Sequence, residues 1–261
     1  YQGIIGRFDM INAKAQLAKT MKGQAPKLVD APHIAIKNAL HPLLYLKIKK
    51  ADKKTIPIDL AFLNNNRILV LSGPNAGGKS ISLKAVGLLQ LMVQCGMLVP
   101  MDPKSEMGLF QKIFIDMGDQ QSLEDELSTY SSRLKNMKDF LAEANKRTLV
   151  LIDEFGSGTD PKIGGSIAEA VLQAFHKKKV FGFITTHYSN LKHFAFKTKG
   201  IINGSMTFDK DTLSPTYELV VGRPGSSYAY EIAQKSGLPA DIIAYAKKKT
   251  GKNEKAIDEL L

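Results

Sequence analysis

Residues 67–80 read Arg-Ile-Leu-Val-Leu-Ser-Gly-Pro-Asn-Ala-Gly-Gly-Lys-Ser, and this stretch decides the fold. Its first part, Arg67 to Ser72, is a mainly apolar run with strand character, and the rest satisfies the pattern G-x-x-x-x-G-K-[ST]. The segment that follows, Ile81 to Cys95, has the apolar spacing of a helix. Strand, glycine turn and helix in this order predict a phosphate-binding loop. The alternative is a glycine turn that binds nothing.

The residue types in the turn suit a nucleoside triphosphate. Successive backbone N–H groups can surround phosphate oxygens, and the start of the following helix adds its positive dipole end. Lys79 would bring its charge to the β- and γ-phosphates, and the Ser80 hydroxyl would be a ligand of Mg²⁺. We therefore expect ATP and Mg²⁺ as cofactors, with ATP held by Gly73, Pro74, Asn75, Ala76, Gly77, Gly78, Lys79 and Ser80.

A pair of carboxylates follows a second apolar run. Asp153 and Glu154 come directly after Leu149 to Ile152, so they fall at the carboxyl end of a buried strand, where open α/β sheets bind their ligands. We expect Asp153 to hold Mg²⁺, directly or through water, and Glu154 to orient and deprotonate the attacking water. Paired acids at this point also occur as helix caps, which is the alternative interpretation.

A histidine closes the next predicted strand at the same edge of the sheet. His187 follows Thr185 and Thr186, and from there it could hydrogen-bond the γ-phosphate of ATP. A histidine with only structural hydrogen bonds is the alternative. The sequence therefore predicts a catalytic set of Lys79, Glu154 and His187 around the bound phosphates.

The remaining pattern predicts the fold class. Apolar runs at 112–116, 148–153 and 180–185 alternate with helical segments, which indicates an α/β fold with a mostly parallel sheet covered by helices. Residues 216–221 are expected to form an antiparallel extension. We predict a helical lead-in over residues 1–29, a nucleotide-binding domain over 30–224 and a C-terminal helical element over 225–261.

Composition limits the classes of function. The formal charge is +11, from 36 Lys and Arg against 25 Asp and Glu, which suits a polyanionic partner such as nucleic acid; solvated lysine faces are the alternative. The single cysteine, Cys95, excludes an intramolecular disulfide and is expected in the core. The longest apolar stretch is too short to span a bilayer, so we expect no membrane partner. The single cysteine fits a reducing compartment, and we expect a cytoplasmic location.

Taken together, the motifs resemble the ATPase of the MutS family, a branch of the ABC-type ATPases. The resemblance rests on the loop 73–80, on Leu127-Ser128-Thr129-Tyr130, on the acidic segment 153–161 and on residues 185–188. The sequence motifs at residues 118–122, 158–161 and 41–44 resemble those of the second MutS subfamily more than those of the mismatch-recognising branch. The resemblance implies a P-loop NTPase fold and a homodimer.

The same resemblance implies roles for further residues. Ser128 and Thr129 would lie near the γ-phosphate bound by the other subunit, because each MutS nucleotide is closed by the partner's signature helix. Asn75 would position the attacking water or the γ-phosphate, and His41 and Pro42 would lie near the adenine. The helix-turn-helix element within residues 225–261 would clamp the dimer.

The resemblance also implies a function for the whole protein. ATP hydrolysis would act as a switch for binding branched or mismatched DNA, or for ribosome rescue, through regions largely outside these residues. We assign no nuclease activity to residues 1–261. An ABC-type transport ATPase is an alternative, but Leu127 to Tyr130 is not the Leu-Ser-Gly-Gly-Gln signature. A nucleotide-dependent dimerisation scaffold with little hydrolysis is another, against which Lys79 and Glu154 argue.

Overall fold

The computed structural model describes residues 1–49, 55–63, 65–74, 77–117, 126–209, 212, 214–225 and 228–249. In chain order its elements are α1 (Gln2–Met21), β1 (Lys27–Val29), β2 (Ile34–Ala39), α2 (Pro42–Lys49), β3 (Ile58–Ala61), β4 (Ile68–Ser72), α3 (Lys79–Gln94), β5 (Glu106–Gly108), β6 (Lys112–Asp116), α4 (Glu126–Glu143), β7 (Thr148–Ile152), α5 (Pro161–Lys177), β8 (Phe181–Thr185), α6 (Ser189–Lys197), β9 (Ile201–Asp209), β10 (Ser214–Val221), α7 (Ala229–Lys235) and α8 (Ala240–Lys249).

The chain divides into two compact units. The first contains Tyr1–Phe62 and Ile81–Gln111, and the second contains Leu63–Ser80 and Lys112–Leu261. The domain limits expected from the sequence, 1–29, 30–224 and 225–261, stay a prediction. None of the helices within the described ranges combines the length and apolar character that crossing a membrane requires.

The first unit contains a four-stranded sheet in the order β1-β5-β2-β3. Strands β1 and β5 are parallel, and the other neighbouring pairs are antiparallel. Ile34 and Leu60 are buried in its core. Gly108 is sterically required, because a Cβ atom there would lie 1.8 Å from the carbonyl oxygen of Ala31.

The second unit is built on a six-stranded sheet in the order β10-β9-β4-β8-β7-β6. Every neighbouring pair from β9 to β6 is parallel, and β10 is added antiparallel to β9 at the edge. All residues of β4, β7 and β8 are buried, which explains why these strands are nearly continuous apolar runs in the sequence. The predicted α/β fold with an antiparallel extension is confirmed.

Helices α4, α5 and α6 pack with this sheet. Ala168, Leu172 and Phe175 of α5 are fully buried in a cluster with Val70 of β4 and Val150 of β7. Parallel strands place their carboxyl ends at one edge, so the residues after β4, β7 and β8 are neighbours in space. This edge carries the candidate site.

One expectation about a side chain is wrong. Cys95 is exposed instead of lying in the core. Helix α3 ends at Gln94, and Cys95 begins the turn that continues into Gly96 with a left-handed φ of 67°. The apolar periodicity of the helix therefore stops one residue before the cysteine, and its side chain faces solvent.

Candidate functional site

The glycine-rich loop encloses the ammonium group of its own lysine. The loop leaves β4 at Gly73, whose φ is 127°, and reaches α3 through Gly78, whose φ is 93°. Lys79 Nζ donates to the carbonyl oxygens of Gly73 at 2.7 Å and Pro74 at 2.9 Å. Lys79 is only 2% exposed. Asn75 and Ala76, also expected in the loop, lie outside the described residues.

The environment of Lys79 changes its titration. Burial lowers the pKa of Lys79 from 10.5 to about 8, and the charges of Glu154 and Asp153 oppose that shift. Both carboxylates therefore act electrostatically on the lysine of the loop. An anion bound beside Lys79 would favour the charged form further, because it adds another opposite charge.

The acidic pair is held in place by the neighbouring strand. Thr185, at the end of β8, donates its hydroxyl to Asp153 Oδ1, and the Thr185 hydroxyl oxygen accepts the Glu154 N–H at 2.8 Å. The N–H of Phe155 donates to the carbonyl oxygen of Thr185 at 2.8 Å. Glu154 has a left-handed φ of 49°, which costs a non-glycine residue about 1–2 kcal/mol. Thr185 therefore fixes a strained turn that presents both carboxylates.

His187 lies at the same edge of the sheet. Burial lowers the pKa of His187, the ammonium of Lys79 lowers it further, and Glu154 and Asp153 oppose the shift. The neutral form of its imidazole is therefore favoured. A neutral imidazole can donate one hydrogen bond and accept another.

A cleft of about 330 Å³ opens beside the loop. This volume lies within the range of small-molecule sites. The cleft is lined by Ser72, Gly73, Pro74, Thr186, His187, Lys192, Gly225, Tyr228, Ala229 and Ile232. Two of the expected loop residues and the expected histidine are therefore brought together around one cavity.

Sequence reasoning missed several residues of this cleft. Lys192 of α6 is 6% exposed, and its Nζ donates to the carbonyl oxygen of Gly225 at 3.5 Å. The Gly225 N–H donates to Ser72 Oγ at 2.8 Å, and a Cβ on Gly225 would lie 2.9 Å from the Cα of Gly73. Tyr228, which belongs to the segment expected to clamp the dimer, thus also lines the cleft.

The remaining expected site residues belong to the first unit, to the start of α4 or to segments outside the described residues. His41 precedes α2 in the first unit, where its Nδ1 accepts the Leu44 N–H at 3.4 Å. Burial lowers the pKa of His41. Ser128 and Thr129 lie in the first turn of α4, where only the backbone is described, and residues 118–122 lie outside the described part of the chain.

The residues expected to hold Mg²⁺ fit its chemistry. Ser80 is the second residue of α3 and supplies a hydroxyl, and Asp153 supplies a carboxylate at the edge of the sheet. Within the described residues, no group of three or more His, Cys, Asp and Glu side chains could hold a metal by itself. Mg²⁺ at phosphate sites takes few protein ligands, because phosphate oxygens and water complete its coordination.

The parallel sheet, the glycine loop with its buried lysine and the acidic pair define the P-loop ATPase class. The MutS domain V family profile matches residues 69–254. The chain therefore belongs to the MutS family.

Individual relatives agree with this assignment. The chain is 42% identical over 258 residues to a protein named Endonuclease MutS2 from Enterococcus faecalis, which is 99% of this chain and 32% of the relative. It is 43% identical over 260 residues to Endonuclease MutS2 from Finegoldia magna, covering 100% of this chain and 32% of the relative. The expected similarity to the second MutS subfamily is confirmed. The chain spans about a third of the length of these relatives.

Proposed function

We propose that this chain binds ATP with Mg²⁺ and hydrolyses ATP as the motor domain of a dimeric MutS-type protein. The observation that supports this most directly is that the phosphate loop, the acidic pair and His187 follow the neighbouring parallel strands β4, β7 and β8 at one edge of the sheet. Phosphoryl transfer requires a lysine beside the phosphates and carboxylates beside the metal and the attacking water. These groups must therefore share one site. Family membership supports the same function.

The roles of the residues follow from their positions. Lys79 attracts the β- and γ-phosphates, and burial strengthens its electrostatic effect because little water screens it. Glu154 accepts a proton from the attacking water, and Thr185 keeps the turn of Glu154 in place. Mg²⁺, when held by Ser80 and Asp153, would supply positive charge to the phosphate oxygens. His187 hydrogen-bonds the γ-phosphate in its neutral form.

Other roles rest on the family alone. Asn75 would position the attacking water or the γ-phosphate, and His41 and Pro42 would contact the adenine. Ser128 and Thr129 would act on the nucleotide of the partner subunit. These assignments are part of the proposal.

The partner of the whole protein is proposed to be nucleic acid. The relatives carry the name Endonuclease MutS2, and the chain has a formal charge of +11. We propose that ATP turnover drives a conformational switch that governs binding to branched or mismatched DNA, or to a ribosome. The segments of the full-length protein outside this chain would make most of these contacts, in the cytoplasm.

The experiment that tests the proposal is ATP turnover by the Glu154→Gln variant. Glutamine keeps the shape of the side chain but cannot accept a proton, so we expect a rate about 100-fold lower with ATP binding retained. Glu218→Gln, an exposed site on β10, is the matched control and should turn over ATP normally. Unchanged turnover in Glu154→Gln would rule out Glu154 as the base. Absent turnover in the wild-type protein would favour a dimerisation scaffold.

A further inference from the structure

A single arginine connects helix α4 to the acidic pair. Arg133 lies about two turns into α4 and its side chain is 14% exposed. Its Nε donates to Asp116 Oδ2 at 2.9 Å, and another guanidinium nitrogen donates to Ser157 Oγ at 2.9 Å. The third nitrogen donates to the carbonyl oxygen of Asp153. One guanidinium thus joins α4 to the ends of β6 and β7 and to the loop after the acids.

Asp116 completes this connection from the other side. Its side chain is 5% exposed, and its Oδ1 accepts Nδ2 of Asn136, also on α4, at 3.1 Å. The backbone carbonyl of Asp116 accepts the Asp153 N–H at 2.9 Å. Both oxygens of this carboxylate therefore hold α4, while its backbone holds the first residue of the acidic pair.

The geometry restricts relative movement of these segments. A guanidinium is a rigid planar fork, so its three hydrogen bonds are kept together only if α4 and the Asp153–Glu154 turn keep their mutual position. A buried ion pair also pays a desolvation cost, and one attested reason for retaining such a pair is to specify an arrangement. Sliding α4 along its axis would break the pair in a poorly solvated place.

We propose that Arg133 is a positioning residue that makes helix α4 and the Asp153–Glu154 turn move together when nucleotide binds. The inference rests on the proposed function, since that function places the nucleotide at the acidic pair and gives Ser128, in the first turn of α4, a role at the partner's site. Arg133 then connects the backbone of Asp153, the proposed Mg²⁺ ligand of one subunit, to the helix that would contact the nucleotide bound by the other subunit.

Hydrogen–deuterium exchange tests this coupling without depending on hydrolysis. The wild-type chain is compared with and without Mg²⁺ and a non-hydrolysable ATP analogue. We expect slower exchange in the helix after the loop, around residues 79–91, in the turn 153–160 and in α4. In Arg133→Lys the first two changes should persist and the change in α4 should be lost. Wild-type behaviour of α4 in this variant would overturn the proposal.

The kinetics of the same variant provide a second readout. Because Arg133 makes its described bonds to Asp116, Ser157 and Asp153 and not to the loop, we expect kcat about 10-fold lower with the KM for ATP changed less than about 2-fold. Lys135→Gln, an exposed position on the same helix, should match the wild type. A parallel loss in kcat, ATP affinity and melting temperature would show a merely structural role and contradict the proposal.

A milder variant decides the matter if Arg133→Lys does not fold. Ser157→Ala removes one acceptor and leaves the ion pair with Asp116 intact. We expect it to weaken the nucleotide-dependent change in α4 partially, and an unaltered change would count against the proposal. If the wild-type helix at 79–91 shows no response to nucleotide, the proposed function itself fails and takes this inference with it.

Discussion

Lys79 holds its charge in a place where water solvates it poorly. Two carbonyl oxygens of its own loop accept its hydrogen bonds, and burial lowers its pKa to about 8. The folded chain therefore binds this proton less tightly than the unfolded chain does. A phosphate that approaches Lys79 restores the proton affinity, so nucleotide binding and proton uptake are linked above this pKa.

The linkage gives a prediction about pH. Below pH 8 Lys79 is protonated before ATP arrives, whereas above it the proton must be taken up with ATP. ATP phosphates are already ionised in this range, so the dissociation constant should rise by up to about 10-fold per pH unit above pH 8. Calorimetric titration between pH 7 and pH 9.5 measures this dependence. Lys79→Met should bind weakly at every pH, and a flat profile for the wild type would refute the linkage.

The hydroxyl of Thr185 gives a second prediction for a single residue. It donates to Asp153 and accepts from the N–H of Glu154, and Thr185 is fully buried. Thr185→Val keeps the side-chain shape but removes both bonds, so we expect the Mg²⁺ concentration for half-maximal ATPase activity to rise about 10-fold or more. Thr185→Ser retains the hydroxyl and should restore the response. Equal behaviour of the two variants would exclude this role.

At the scale of elements, helix α5 depends on a glycine. Its first turn is capped by Asp160, whose carboxylate accepts the N–H groups of Lys162 and Ile163 at 3.0 Å each. A Cβ atom on Gly164 would lie 2.3 Å from the carbonyl oxygen of Gly156. The start of α5 is thus packed against the loop that follows the acidic pair, with no room for a methyl group.

This packing predicts the effect of a methyl group. Gly164→Ala should lower the free energy of unfolding by about 1–3 kcal/mol, because a backbone carbonyl cannot move aside as a side chain can. Gly6→Ala in α1 is the control, since a Cβ there meets nothing within 4 Å and alanine favours helix by up to about 1 kcal/mol. Denaturant unfolding compares the two. Equal stability of both variants would show that the loop can yield.

Strands β4, β6, β7 and β8 were predictable from the sequence, whereas the four-stranded sheet of the first unit and the contacts between elements were not. Strands β4, β7 and β8 are buried throughout, and this burial requires the continuous apolar runs by which they were found. The bond of Arg133 to Asp116 joins residues 17 apart, and that of Gly225 to Ser72 joins residues 153 apart. No local pattern specifies such pairs. The periodicity that placed Cys95 in the core failed because α3 ends before it.

At the scale of the whole molecule, the proposed function requires two subunits for each active site. Under the proposed function, Ser128, in the first turn of α4, acts on the nucleotide of the partner subunit. ATPase activity per subunit should therefore rise with protein concentration through the dimerisation range. Turnover measured over a dilution series checks this expectation. Activity strictly proportional to protein at all concentrations would argue for a complete site in each subunit.

Ser128→Ala separates binding from turnover. We expect this variant to bind ATP nearly as the wild type does, because the phosphate loop is intact, and to hydrolyse ATP at least about 10-fold more slowly. Fluorescent-nucleotide binding and phosphate release measure the two properties. A loss of affinity as large as the loss of turnover would place Ser128 at the nucleotide of its own subunit.

Mixing two inactive variants tests the shared site most directly. Lys79→Ala lacks a working loop but keeps Ser128, and Ser128→Ala keeps the loop. A mixed dimer of the two has one complete site. We expect little ATPase activity for either variant alone and, for an equal mixture that exchanges subunits freely, about a quarter of the wild-type rate. A mixture no more active than the mean of its two components would show that the site is not shared between subunits.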